Sequence, residues 1–278
     1  MSKSSFLIDF FYPPFYRDGQ PFFGTGPPKN WEGRLNFYNL PVQWNFKISI
    51  EDPNRLDKPE TGLKILPVPN GRDFLVFEDN NIVKVWQDTF SLSLDFPIRK
   101  SKSRLDAWDE WQTPLRFTFF FALLEYDFLL LHASSLIRHD YALVFPGISG
   151  AGKTSIVRSA QNVPILSDEI SAVRVGPKGT QDIAYGTPFH GDLGVPGDCL
   201  FAPLKGLFFP VKSRENHLTP LTPQETLRHL LPCIFSFTSM ESRKRKLFDL
   251  GVALAEKVPG YLFYFNLTPG MWDMLDEL

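Results

Sequence analysis

Residues 147–154 read GISGAGKT, which matches the pattern G-x-x-x-x-G-K-[ST] of phosphate-binding loops, also called Walker A. Small residues in such a loop let successive backbone N–H groups approach phosphate oxygens, and the lysine reaches the β- and γ-phosphates. The hydroxyl of the last residue binds Mg²⁺. The pattern therefore predicts a site for a nucleoside triphosphate and Mg²⁺ formed by Gly147, Ile148, Ser149, Gly150, Ala151, Gly152, Lys153, Thr154 and Ser155.

The sequence on both sides of this loop predicts the strand and the helix that the motif requires. Residues 141–145 form a β-type run, and residues 154–160 can form a short helix. Another β-type run lies earlier in the sequence, at 128–131. A polar stretch at 138–140, which is typical of a hairpin turn, separates it from the run at 141–145. With a further buried strand at 164–166, the pattern indicates an α/β fold.

Two adjacent carboxylates, Asp168 and Glu169, follow that further strand, fourteen positions after Thr154. Neighbouring residues at a strand end point to different sides. One carboxylate can therefore bind Mg²⁺ while the other acts as general base toward an acceptor hydroxyl. His132 ends the β-type run at 128–131, and the residues alone leave open a structural role or a role in orienting the catalytic carboxylate.

The order of these features resembles the HPr kinase/phosphorylase family and its relatives. His132 and Ala133 come first, then the glycine loop, and then the LSDE sequence at 166–169. The resemblance covers about residues 131–173. It implies a PEP-carboxykinase-like P-loop kinase core with a mixed sheet and ATP bound at the loop beside Lys153.

The resemblance also implies roles for individual side chains. Asp168 would be the base that activates a serine hydroxyl, His132 would assist it, and Glu169 would bind Mg²⁺. Thr154 stands where the family usually has Ser, and Glu169 stands where it usually has a second Asp. The C-terminal signature stretch of HPr kinases is not recognisable. These departures argue against HPr itself as the acceptor.

A loop at 187–192, with the sequence TPFHGD, is a candidate for the acceptor side of the site. His190 and Asp192 lie among glycines and a proline that could hold them at the edge of a cleft. A purely structural turn remains the alternative.

The chain has 278 residues, which suits two domains. Residues 1–107 contain short alternating and aromatic runs and predict a β-rich N-terminal domain for acceptor or partner recognition. Residues 108–278 would form the kinase domain, with the boundary near the basic stretch at 99–104 and a helix from Thr113 to residue 124. The 27 phenylalanines are expected mainly in the core.

Composition excludes several classes of protein. A net charge of −2 argues against nucleic-acid binding. Cys199 and Cys233 lack the spacing of a zinc site or of a disulfide framework, so we expect buried thiols. No secretion signal is evident, and the apolar segment at 117–124 is far shorter than the ~20 residues of a membrane span. The sequence predicts a soluble, cytoplasmic protein without membrane contact and leaves a homo-oligomer open.

The leading hypothesis is a Mg-ATP-dependent kinase that phosphorylates a Ser/Thr-type hydroxyl of a protein, peptide or small molecule. Its partners would be the nucleotide and that hydroxyl-bearing acceptor. The alternative is a nucleotide-gated binding or scaffold protein. An ATPase or a pyrophosphate-using phosphorylase is a third option.

Overall fold

The computed structural model of this chain describes the backbone of nine strands between residues 6 and 95, residues 116, 119 and 120, and residues 123–278 except 188, 195, 196, 199 and 239. The chain divides into two compact units, one of residues 123–236 with 245–278 and the other of residues 6–122 with 237–244. The stretch at 99–104, where the sequence predicts the domain boundary, lies outside the described residues.

The N-terminal part of the chain is built from strands. Seven of them form one sheet in the order β1-β4-β5-β9-β8-β7-β6, and β2 and β3 form a separate hairpin. Their bounds are β1 Phe6–Phe10, β2 Tyr16–Arg17, β3 Gln20–Pro21, β4 Asn30–Phe37, β5 Gln43–Ser49, β6 Lys64–Val68, β7 Arg72–Val76, β8 Ile82–Gln87 and β9 Leu92–Asp95.

The unit that contains the glycine loop is mixed α/β, as predicted, with an eight-stranded mixed sheet. Its strands are β10 Phe128–Arg138, β11 Tyr141–Pro146, β12 Ile165–Ser167, β13 Ile170–Arg174, β14 Ile183–Tyr185, β15 Phe201–Lys212, β16 His217–Leu221 and β17 Gly260–Phe265. The helices are α1 Lys153–Ser159, α2 Pro223–Leu230, α3 Glu241–Lys257 and α4 Gly270–Asp276, with a 3₁₀ turn at Leu231–Cys233. Within the described part of the chain, none of the helices is both long enough and apolar enough to cross a bilayer.

Two long strands, β10 and β15, organise this sheet. β10 pairs antiparallel with β11 on one edge and with β12 and β13 on the other. β15 pairs antiparallel with β14 through its first residues and parallel with β11 and β17 through the rest. As a result β11, β15 and β17 run in the same direction, and their carboxyl ends meet at one edge of the sheet.

The predicted hairpin turn between the first two strands is confirmed. Arg138 pairs with Tyr141, and the two residues between them, His139 and Asp140, have φ of 49° and 65°. Positive φ at both positions is the geometry of a two-residue type I′ turn, whose twist matches that of the flanking strands. The strand is longer than predicted, however, so His132 lies inside β10 and not at its end.

The structure confirms two further elements predicted from the sequence and corrects a third. The strand expected at 164–166 is β12, and residues 116, 119, 120 and 123–125 are helical, in agreement with the helix predicted up to residue 124. The glycines and prolines of the region 176–203 predict a loop, and this prediction is wrong, because the region contains β14 and the start of β15. A strand of three residues is too short to produce a readable alternation.

The sequence TPQE at 222–225 predicts a capping box at the start of α2, and the structure confirms it. The Glu225 backbone N–H donates to Thr222 Oγ1 at 3.3 Å, and the Thr222 N–H donates to Glu225 Oε2 at 2.9 Å. These reciprocal bonds satisfy N–H groups that the first helical turn leaves without intrahelical partners. The bonds from the Thr222 backbone and side chain lower the pKa of the Glu225 carboxyl.

Phenylalanine side chains form the core beneath the glycine loop. Phe145 on β11 lies 5.7 Å, between ring centroids, from Phe208 on β15 and from Phe263 on β17. Phe263 in turn stacks on Phe265 at 5.4 Å. Helices α1 and α4 cover this cluster with Ile156, Val157, Met271 and Leu275. The abundance of Phe therefore serves packing here, as predicted, and fixes the ends of three parallel strands.

An ion pair with a buried carboxylate and a half-buried lysine connects α3 to the segment between β13 and β14. Lys257 pairs with Asp182, and the Asp182 carboxylate, 4% exposed as a residue, also accepts from the Gly176 N–H at 2.8 Å. We expect Lys257→Met to lower the free energy of unfolding by about 3 kcal/mol, because it leaves an unpaired buried carboxylate. Urea unfolding followed by circular dichroism measures this change.

The matched control is Lys244→Met on the same helix. Among the residues that the structure describes, Lys244 pairs only with the exposed Glu241, at 4.0 Å, so its loss should leave the unfolding midpoint nearly unchanged. Equal midpoints for the two variants would contradict a stabilising role for the Lys257 pair.

Candidate functional site

The glycine loop lies between β11 and α1, in the strand–loop–helix order that the motif requires. Gly150 and Gly152 have φ of 80° and 99°, a region that side chains disfavour. At Gly152 a Cβ atom would also lie 2.7 Å from Cζ of Phe265. Gly152 is therefore required both by the backbone conformation and by contact with the core.

Three consecutive residues of β10 hold the loop and the acidic pair. The His132 carbonyl accepts from the Gly147 N–H at 3.1 Å, and the Ala133 N–H donates to the Glu169 carbonyl at 3.2 Å. Ser134 Oγ donates to the Lys153 carbonyl at 3.2 Å. The backbone ladder of one strand thus brings together the site residues that the sequence places far apart.

Lys153 lies at the centre of this arrangement and is 6% exposed. Its ammonium donates to the carbonyls of Gly147 at 2.8 Å and Ile148 at 3.1 Å. Burial lowers the pKa of Lys153, and the nearby charges of Glu169 and Asp168 oppose that effect. The loop therefore encloses a cation that has two carboxylates in electrostatic range.

The two adjacent carboxylates have different surroundings. Asp168 is 2% exposed, and its two oxygens accept from the backbone N–H groups of Gly191 at 2.9 Å and Leu193 at 2.8 Å. Glu169 has a side chain that is 27% exposed, and its Oε2 lies 4.0 Å from Nε2 of His132. Asp168 is held within the protein, whereas Glu169 and His132 reach solvent together.

The bend that carries the pair is fixed by Ser167. Its Oγ accepts from the N–H groups of Glu169 at 3.1 Å and Ile170 at 2.9 Å. β12 and β13 both pair with β10 in the same direction, so this bend is a local interruption of one extended segment. The interruption frees the two carboxylates from the regular alternation of a strand.

The loop predicted for the acceptor side lies against this acidic pair. Thr187 Oγ1 donates to the Ile170 carbonyl at 2.6 Å, and Arg158 on α1 donates to the Asp192 carbonyl at 3.0 Å. His190 is half-buried, and Asp192 is exposed. The structure therefore brings His190 and Asp192 to the site. They lie on the side of β10 that carries the acidic pair, whereas β11 and the glycine loop lie on its other side.

The remaining residues of the predicted phosphate site lie at the surface of the loop. Ile148 is 66% exposed, Ser149, Gly150 and Ser155 are exposed, and Ala151 and Thr154 are half-buried.

Cys233 lies near Lys153, and burial raises the pKa of its thiol to about 11. It is a buried free thiol, as expected, whereas Cys199 lies outside the described residues.

Three features of the site were missed in the sequence. The N–H donors of Gly191 and Leu193 carry no side-chain signal, although Gly191 lies inside the TPFHGD stretch. Lys212 lies beside Gly152, whose added Cβ would be 3.6 Å from the lysine Cε. Its position at the end of an apolar strand was visible, but the parallel pairing that brings β15 next to β11 was not.

Neither protein-family models nor curated proteins give a match to this chain.

Among the described residues, no group of three or more His, Cys, Asp or Glu side chains is arranged to hold a metal ion. Magnesium sites at nucleotides commonly use only one or two carboxylates together with phosphate oxygens. Of the predicted ligands, Glu169 is a carboxylate with a partly exposed side chain, and Thr154 is a half-buried residue with a hydroxyl group.

Gly191 is the point where the loop backbone approaches both carboxylates. A Cβ atom there would lie 2.9 Å from Glu169 Oε2 and 3.5 Å from Asp168 Oδ2. In Gly191→Ala either the Glu169 carboxylate turns away or the loop moves, and movement of the loop would weaken its hydrogen bonds to Asp168. Because a bond to a charged acceptor contributes about 1.5–3 kcal/mol, we expect amide hydrogen exchange at Leu193 to accelerate about tenfold or more.

Gly270→Ala is the matched control, since a Cβ atom at Gly270 meets nothing within 4 Å. It should leave exchange at Leu193 unchanged. Unaltered exchange in both variants would show that close packing at Gly191 does not hold the loop.

Proposed function

We propose that this protein is a Mg-ATP-dependent kinase that transfers the γ-phosphoryl group to a Ser/Thr-type hydroxyl of a protein, peptide or small molecule. One observation carries the proposal. A glycine loop around the buried Lys153 and a carboxylate pair are hydrogen-bonded to the same three residues of β10. One carboxylate of such a pair can bind Mg²⁺ while the other accepts the proton of an attacking hydroxyl.

The loop and Lys153 would bind the triphosphate. Backbone N–H groups of the loop contact phosphate oxygens, and the ammonium of Lys153 leaves the loop carbonyls for the β- and γ-phosphates. In a partly buried site such fixed positive charge stabilises the transferring group more strongly than water would. This is the main contribution expected of the protein, because phosphoryl transfer depends mostly on alignment and charge neutralisation.

Mg²⁺ would be held by the Thr154 hydroxyl and the Glu169 carboxylate. Both are oxygen donors, which Mg²⁺ prefers, and the exposure of Glu169 leaves room for a hydrated ion. When bound, the ion neutralises charge on the β- and γ-phosphates.

Asp168 would accept the proton of the acceptor hydroxyl. The hydroxyl oxygen forms a bond to the γ-phosphorus, the bond from that phosphorus to the bridging oxygen breaks, and ADP leaves. The acceptor hydroxyl takes the place of one of the two N–H groups that Asp168 binds. His132 orients the pair from its position 4.0 Å from Glu169, and His190 and Asp192 line the acceptor side.

The same features support a finer fold class and a location. The parallel strands β11, β15 and β17, with the glycine loop at the end of β11, favour a PEP-carboxykinase/HPr-kinase-like P-loop core. A cytoplasmic location would supply ATP and keep the free thiol of Cys233 reduced.

A nucleotide-gated binding protein is the second candidate. The bonds from Gly191 and Leu193 to Asp168 favour it, because nucleotide binding beside Asp168 could release or tighten this loop without any transfer. The two candidates differ in whether labelled phosphate ever reaches an acceptor. An ATPase would instead release it to water.

Lys153→Ala should lower the rate of phosphoryl transfer about a hundredfold or more, because it removes the buried cation at the phosphates. The measurement incubates the protein with Mg²⁺ and γ-³²P-ATP in the presence of peptide, amino-acid and extract pools, and follows label in each pool. Nucleotide affinity is measured in parallel by calorimetry.

Lys178→Ala, at an exposed lysine outside the site, is the control and should match the unmodified protein. Absence of ATP binding by the unmodified protein would reject the kinase and the gated binding protein together. Binding without labelled acceptor or released phosphate would favour gating.

Substitution of each carboxylate separates their roles. Asp168→Asn should abolish transfer and leave Mg-ATP affinity nearly unchanged, because the amide cannot accept the proton. Glu169→Gln should weaken nucleotide binding in the presence of Mg²⁺ but not in its absence, because it removes a metal ligand. Calorimetry with and without Mg²⁺, together with single-turnover transfer, measures both effects.

Asp168→Asn also alters the bonds to the loop, so hydrogen exchange at Leu193 is recorded for both variants. Full turnover by Asp168→Asn would exclude Asp168 as the base. Loss of transfer in Gly191→Ala equal to that in Asp168→Asn would show that loop position alone explains the effect.

A further inference from the structure

Lys212 lies at the edge of the sheet where a ligand of the glycine loop would bind. β15 ends at Lys212 and pairs in parallel with both β11, which leads into the loop, and β17, where Lys212 is in register with Phe265. In sheets with parallel strands, ligands bind beyond the carboxyl ends of adjacent strands. Lys212 is therefore the strand-end residue next to the loop in space, although it is 59 positions after Lys153 in the sequence.

The side chain of Lys212 extends along the loop. Its Cε lies 3.6 Å from the position that a Cβ on Gly152 would occupy, and the residue is exposed. The end of its apolar stem thus lies beside the loop at Gly152 although the residue is exposed, as is common for long cationic side chains. Gly152 immediately precedes Lys153, so two lysines lie beside the same part of the loop.

These two cations differ in burial. Lys153 is enclosed and bonded to the carbonyls of Gly147 and Ile148, whereas Lys212 is on the open side. A triphosphate carries more negative charge than Mg²⁺ and one lysine can balance, and the excess increases on the oxygens that bridge to the leaving group during transfer. A second ammonium at the exposed edge of the site, which we call the rim, could neutralise this excess negative charge.

We propose that Lys212 is a second phosphate-contacting cation of this site, which binds the β- and γ-phosphates from the open side. The assignment rests on the proposed nucleotide site. Lys212 makes the site selective for nucleoside di- and triphosphates over monophosphates, because a monophosphate ends before the rim. It contributes to transfer as other cations at the transferring group do.

Lys205 provides a matched control on the same strand. It is seven residues earlier, about 23 Å along a strand, and its Nζ lies 5.2 Å from the ring centroid of Tyr141. Lys205→Gln removes one charge from β15 at the end distant from the loop. Lys212→Gln removes one beside the loop, and Lys212→Arg keeps it.

The test measures affinities for Mg-ATP, Mg-ADP and AMP by calorimetry, and transfer in a single turnover, for the unmodified protein and the three variants. Lys212→Gln should weaken Mg-ATP binding about tenfold and slow transfer about a hundredfold, leave AMP binding unchanged and reduce the salt dependence of ATP binding. Lys212→Arg should retain most of both, and Lys205→Gln should match the unmodified protein.

Three outcomes overturn the proposal in distinguishable ways. If Lys153→Ala abolishes ATP binding but Lys212→Gln behaves like Lys205→Gln, the nucleotide site stands and the role of Lys212 is rejected. If the unmodified protein binds no nucleotide, the proposed function and the role of Lys212 both fail. Equal loss of ATP and AMP affinity in Lys212→Gln would also reject it, because the contact would not be at the outer phosphates.

Discussion

Hydrogen bonds from three consecutive residues of β10 determine where the parts of the site lie. His132 and Ala133 hold Gly147 and Glu169 through the backbone, and the Ser134 hydroxyl holds Lys153. Because β11 and the β12–β13 segment flank β10, the loop and the acidic bend are two inter-strand spacings apart, about 10 Å. That distance is set by backbone geometry, so side chains need only fill the space between. A separation of this size suits a triphosphate bound at the loop with the acceptor hydroxyl beyond its γ-phosphate.

The two sides of the site differ in how firmly they are held. The glycine loop rests on the phenylalanine core through Phe145 and Phe265, where dense packing leaves little freedom for a shift. On the opposite side Phe189 is fully buried, but the residues after it, 191–193, are held by a few hydrogen bonds to Asp168 and from Arg158. Segments held in this way open at a lower free energy than the core does. A fixed donor side and an adaptable acceptor side would follow from this difference.

Local patterns in the sequence predicted the elements that local chemistry determines. The strand–loop–helix order, the hairpin turn and the capping box each depend on residues within a few positions of one another. The extent of β10 could not be read, because buried Ser134 and Ser135 break its apolar run. Their hydroxyls bond to the Lys153 carbonyl and to Ser171. The partners of Asp168 are 23 and 25 residues away, and Lys212 reaches the loop only through parallel pairing, so neither leaves a local pattern.

The unequal surroundings of Asp168 and Glu169 connect proton transfer to loop position in the proposed mechanism. N–H groups bind an ionised carboxylate more strongly than a protonated one, and Asp168 accepts two of them from the acceptor-side loop. With one of these N–H groups replaced by the acceptor hydroxyl, the proton that Asp168 takes would therefore weaken its remaining bond to this loop at the moment when product forms. Glu169, whose side chain is 27% exposed, would bind Mg²⁺ instead. Adjacent carboxylates in different environments can thus divide proton acceptance from charge balance, and the first of them would also loosen the loop for product release.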